Sequence, residues 1–165
     1  MDIEFVRSRF IKHFDGLTGN IYHSPGRINL IGEHTDYNGG FVFPGAVDCG
    51  IMAEMRPNGT ESTIRAYSID LKDRVDFDFH DGKGPRATWA RFIYGMALEM
   101  EALGVPVKGF NIAFAGDVPL GAGMSSSAAM RVALAAASMT FSARTRWRNG
   151  TSPLPDKPLS TSISV

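Results

Sequence analysis

Arg27 stands just ahead of the run Glu33-His34-Thr35-Asp36-Tyr37-Asn38. Carboxylates that accept from two neighbouring hydroxyls suit Glu33 and Asp36 to a polyhydroxylated ligand, with His34 and Thr35 adding further hydrogen-bonding groups. A guanidinium beside them is useful where charge on a transferred group must be stabilised while a nucleophile is positioned. Spacing alone leaves two plainer readings open, a surface loop with Arg27 paired to Glu33 and a weak metal site of one histidine and two carboxylates.

The second string is Pro119-Leu120-Gly121-Ala122-Gly123-Met124-Ser125-Ser126-Ser127-Ala128. Its glycines let a backbone approach a phosphate, amides at a helix start meet phosphate charge, and serine hydroxyls bind phosphate or magnesium. No Gly-Lys-Ser/Thr follows, so it is not a Walker A loop. The third glycine of the dinucleotide pattern is replaced by Ser126. A serine-capped helix start is the plain alternative.

These strings must be held by surrounding elements. Ile3, Val6, Phe10 and Phe14 recur at helical spacing, predicting an amphipathic helix from Asp2 that Gly16 stops. Residues 21–24 read as a short strand halted by Pro25, and residues 41–43 as another ahead of Pro44, with a loop-rich span between. Residues 46–56 and 62–68 read as two strands of a hairpin turned by Pro57-Asn58-Gly59. Val75, Phe77 and Phe79 alternate with polar residues, predicting a half-buried strand. From Thr88 to Gly104 the apolar residues Trp89, Phe92, Ile93, Met96, Met100 and Leu103 predict a helix, and Phe110, Ile112 and Phe114 a further strand. The order strand, glycine-rich turn, helix then follows, and the whole predicts a mixed α/β (α+β) domain.

Composition narrows the partners. Seventeen basic residues balance 17 acidic ones, which argues against a nucleic-acid surface or a polybasic membrane surface. Apolar stretches break well short of the roughly 20 residues that span a bilayer. Cys49 is the single cysteine, and the chain opens with Asp2 and Glu4 rather than a basic leader; both fit the cytoplasm. Cys49 is expected as a small core residue, and His13, His23 and His80 as surface or structural residues. Composition shifts near Met130: residues 131–165 hold five basic side chains against Asp156 alone, and disorder is expected after about Ser142.

Ser24-Pro25-Gly26-Arg27 through Asn38-Gly39-Gly40, followed by Pro44, resembles the sugar-binding segment of the galactokinase family. The Gly121–Ser127 string is similar to the phosphate loop of the GHMP kinase superfamily, which includes that family. The resemblance implies a GHMP-kinase N-terminal fold, of the ribosomal protein S5 domain 2-like kind, over residues 1–129. It implies that Glu33, His34, Thr35 and Asp36 bind galactose and that Arg27 stabilises the phosphoryl transition state. It further implies that Gly121, Ala122, Gly123, Met124, Ser125, Ser126 and Ser127 hold ATP, that Ser127 assists magnesium, and that Ser68, through Tyr67-Ser68, lies near the nucleotide. The reaction implied is transfer of the ATP γ-phosphoryl group to the anomeric hydroxyl of galactose, by a full-length form that is monomeric.

Residues 130–165 depart from that resemblance, and the family's catalytic Asp, magnesium-binding Glu and C-terminal domain have no counterpart in it. The expectation is therefore a divergent tail, accounted for by a reading-frame shift near Met130, and a chain that is truncated and inactive. Two other readings stay open: another GHMP small-molecule kinase, and a non-catalytic sensor that binds galactose and ATP and signals to a partner.

Overall fold

The computed structural model describes residues 2–32, 34–117 and 128–137. Asp2 opens helix α1 (Ile3–His13), its carboxylate accepting from the Glu4 N–H at 3.1 Å. Val6 and Phe10 form the buried stripe of α1 and Phe14, its C-cap, continues it, whereas Ile3, expected on the same face, is exposed. Strand β1 (Asn20–Ile31), a 3-10 turn (Asp36–Asn38), β2 (Phe43–Pro57), β3 (Thr63–Ser68), β4 (Asp73–Asp78), helix α2 (Thr88–Ala102) and β5 (Phe110–Gly116) follow. Residues 128–137 are helical and are called α3. None of the described helices is long and apolar enough to cross a membrane.

The strands form one sheet in the order β1-β2-β5-β3-β4, with β3 and β5 parallel and the other neighbours antiparallel. Alternate residues feed two cores. On one face Ile51, Ala53 and Met55 of β2 and Phe110, Ile112 and Phe114 of β5 meet Ile93, Ala97 and Met100 of α2 and Met130, Leu134 and Ala137 of α3. On the other face Met52, Ala113, Ala115 and Tyr67 meet Val6, Phe10 and Phe14 of α1. Met130, where composition shifts, is 8% exposed and belongs to the first core. The tail after Ser142 lies outside the described residues.

Three expectations about the strands are corrected. Pro25 does not halt β1, because β1 is an edge strand and a missing proline N–H on its open side breaks no ladder bond. Residues 41–42 precede β2 rather than belonging to it, and β2 runs through Pro44 to Pro57 as one strand. Residues 46–56 and 62–68 form no hairpin, since β5 lies between β2 and β3. Residues Phe110 to Ala115 of β5 are all buried, and a strand buried on both faces and apolar apart from Asn111 gains most from a central place with a neighbour on each side. The turn at Asn58 survives as a clasp: its amide donates to the Thr63 carbonyl at 3.0 Å and to Asn111 Oδ1 at 3.2 Å.

Smaller differences concern single side chains. Ala90 and Ala97 are buried on α2, whereas Leu103 is its C-cap and is exposed. Cys49 is half-buried rather than a core residue.

Candidate active site

Ser24, Pro25 and Arg27 lie on β1, and a register shift falls between Pro25 and Arg27. Pro25 pairs with Gly50 while Arg27 pairs with Ala46, so residues 47–49 of β2 oppose Gly26 alone. A bulge of this kind bends the pair and re-aims the side chain beside it. Arg27 is the residue directly after it.

A cavity of about 220 Å³ opens there. Ser24, Pro25 and Arg27 line it from β1, and Ala128, Ala129 and Val132 from the first described turns of α3. Arg27 and the residues directly after the glycine/serine string, about a hundred positions away in sequence, therefore share one wall of space. Arg27 is the one charged side chain among these lining residues, and a guanidinium suits an anionic group such as a phosphate. The residues expected to hold the phosphates themselves, Gly121 to Ser127, lie outside the described residues, as does the Ser127 metal assignment. Among the described residues no group of three or more His, Cys, Asp or Glu side chains is placed to hold a metal ion.

Beyond β1 the chain turns at Gly32, whose φ of +95° favours glycine. The loop that follows is closed by its own hydrogen bonds. The Thr35 hydroxyl lies 3.0 Å from the Gly32 carbonyl and 2.9 Å from the Phe41 carbonyl. Gly40 N–H donates to the Thr35 carbonyl at 2.8 Å, and the Asn38 amide to the His34 carbonyl at 2.8 Å. A 2.8 Å hydrogen bond joins His34 Nδ1 to the Tyr37 hydroxyl and fixes the ring's orientation. Leu30, Ile31, Tyr37, Phe41 and Phe43 give this loop an exposed apolar rim. Of Asp36 only the backbone is described, at the start of the 3-10 turn, and Glu33 lies outside the described residues.

Thr35 thus holds the loop's shape with its hydroxyl, a role its sequence position did not reveal. Ser68 is 2% exposed, at the end of β3 between Phe114 of β5 and Asp73 of β4. His13 stacks on Tyr67, and His80 Nε2 lies 2.9 Å from Glu101, so both are structural. Sequence reasoning passed over Asp117 and Gly50. Asp117 Oδ1 accepts from the Gly50 N–H at 2.7 Å, and the Asp117 N–H returns a bond to the Gly50 carbonyl at 3.1 Å. The Gly50 amide holds the Asp117 carboxyl below its ordinary pKa.

Residues 8–57 match the family model described as the galactokinase galactose-binding signature, and residues 91–147 match the GHMP kinases N terminal domain. The galactokinase of Roseiflexus sp. (strain RS-1) is 41% identical over 135 residues, covering 82% of this chain and 34% of its own. That of Lactiplantibacillus plantarum is 40% identical over 136 residues, 80% of this chain and 35% of its own. The chain belongs to the galactokinase family. It spans about a third of the length of these relatives.

Solved structures agree with that placement. Lactococcus lactis galactokinase, crystallised with galactose, superimposes with a TM-score of 0.73 at 26% identity, over 93% of this chain and 44% of that one. Methanococcus jannaschii mevalonate kinase, at 20% identity and a TM-score of 0.60 over 75% of this chain and 40% of its own, shares the fold. The galactose-binding match contains β1, the self-bonded loop and β2; the GHMP match contains most of α2, all of β5, and α3. The cavity at Arg27 lies where the two galactokinase-family segments meet.

Proposed function

We propose that this chain forms the sugar- and phosphate-binding part of a galactokinase, which transfers the γ-phosphoryl group of ATP to the anomeric hydroxyl of galactose. The observation that carries the reading is the shared cavity, with Arg27 of the sugar-binding segment on one side and Ala128 and Ala129, which follow the glycine/serine string, on the other.

In this reading Glu33, His34 and Asp36 face the sugar, with Thr35 and Tyr37 holding the loop and the histidine ring. Gly121 to Ser127 hold the phosphates through backbone amides and hydroxyls, and Ser127 lies with magnesium, which when bound neutralises phosphate charge. Arg27 meets the charge that develops on the transferred group. The described lining of the cavity offers a guanidinium and a hydroxyl but no carboxylate. The reading assigns this chain the positioning of both ligands. Free galactose and ATP place it in the cytoplasm, consistent with its single cysteine.

Titration of the chain with galactose, glucose and mevalonate, followed by calorimetry, tests the substrate class. Galactose binding that is abolished by His34→Ala supports the reading, and equal or absent binding of all three refutes it. ADP release measured in the same samples reports whether the positioned ligands also react.

A further inference from the structure

The residues that flank positions 118–127 on either side meet the same stretch of β1. On the far side Ala128 and Ala129 line the cavity with Ser24, Pro25 and Arg27. On the near side Asp117 is bonded twice to Gly50, and Gly50 is the β2 partner of Pro25. There is no room for a side chain at that junction: a Cβ on Gly50 would lie 2.9 Å from Pro25 Cα and 3.0 Å from His23 Nε2. Ser24, in the same contact, is 3% exposed. A second carboxylate, Asp70, accepts from the Gly116 N–H at 2.8 Å and secures the end of β5 on its β3 side. Toward β2, where Gly116 pairs with Ile51, the Asp117 carboxylate adds a side-chain bond to Gly50 just past the strand end.

We infer that Asp117 is a positioning residue, whose carboxylate locks the end of β5 to Gly50 and thereby sets the nucleotide's phosphates in register with Arg27. The inference rests on the galactokinase reading above and adds to it a residue that touches neither ligand. Its logic is geometric. A side chain one residue past the strand end, accepting from a main-chain N–H on the neighbouring strand, fixes the position of Asp117 itself against β2. The strand it is fixed to is the one carrying the bulge beside Arg27. Asparagine presents the same Oδ1 acceptor to the Gly50 N–H, whereas alanine presents none.

The test compares Asp117→Ala and Asp117→Asn with the unaltered chain, titrating each with magnesium–ATP and, separately, with galactose. Asp78→Ala is the control for general loosening, because it removes the Ser62 and His80 bonds at the opposite end of β3. The expected result is about a tenfold or greater loss of nucleotide affinity in Asp117→Ala. Galactose affinity stays within about twofold, and both affinities are near normal in Asp117→Asn and Asp78→Ala. Nucleotide binding by Asp117→Ala equal to that of the unaltered chain overturns the inference while leaving the galactokinase reading in place. So does an equal loss of both ligands, or a loss matched by Asp78→Ala. Absence of nucleotide binding in the unaltered chain overturns both.

Discussion

Glu54, with no exposed surface at the centre of β2, accepts a 2.6 Å hydrogen bond from the Gly19 N–H through Oε1 and faces Arg7 of α1 through Oε2 at 3.7 Å. That separation makes an ion pair but no hydrogen bond, and among the described residues neither Arg7 Nε nor Glu54 Oε2 has a hydrogen-bond partner. One carboxylate thereby pins both α1 and the start of β1 to the sheet.

Removing half of a buried pair leaves the other half desolvated and unmatched. Glu54→Ala strips the acceptor from Gly19 and the counter-charge from Arg7, with an expected loss of about 2–4 kcal/mol. Glu54→Gln keeps an acceptor for Gly19 and falls between the two. Urea unfolding midpoints check this; coincident midpoints for all three chains would show that the pair is dispensable.

Gly50→Ala places a methyl group against the Pro25 backbone. Overpacking of this kind costs about 1–3 kcal/mol, and β1 has to move to relieve it. Since β1 carries Arg27 and leads into the sugar-binding loop, the expected outcome is weakened binding of galactose and nucleotide together. Asp117→Ala, in contrast, separates the two. Calorimetric titration of the Gly50→Ala chain decides, and unchanged affinities would mean that β1 has freedom to shift without consequence.

His13 stacks on Tyr67 with ring centroids 3.7 Å apart, and its pKa is lowered by burial first and then by Lys12, Arg74 and Arg9. The folded state therefore binds this proton less readily than the unfolded chain. The favourable contribution of neutral His13 is fully present above the ordinary imidazole range and is lost as pH falls through that range to the lower folded value. Between about pH 7 and pH 5 the native chain should lose stability faster than His13→Gln. Thermal unfolding at a series of pH values tests this, with parallel curves as the contrary outcome.

How much of this was legible in the sequence depends on the range of the interaction. Helix α1 was readable from Ile3, Val6, Phe10 and Phe14 because its signal is local. The path of β1 through Pro25 was not, since proline reads as a stop unless the strand is known to lie at an edge. The place of β5 between β2 and β3 is likewise a pairing decision, to which only the apolar run of Phe110 to Ala115, broken by Asn111 alone, gives a hint. The Arg27–Asn38 and Gly121–Ser127 strings stand out in the sequence by residue type alone. The approach of Ala128 and Ala129 to Arg27, the register shift beside it, the Thr35 loop closure and the Asp117–Gly50 bond all join distant positions or depend on side-chain direction. No periodicity encodes these.

The central claim is that the two strings act on one pair of ligands through Arg27. Titrating the chain and its Arg27→Ala variant with magnesium–ATP, with and without saturating galactose, tests it most directly. A charge-assisted contact to phosphate predicts roughly a tenfold loss of nucleotide affinity in Arg27→Ala, with galactose still bound. Nucleotide affinity indifferent to Arg27, in a variant that remains folded, would contradict the account.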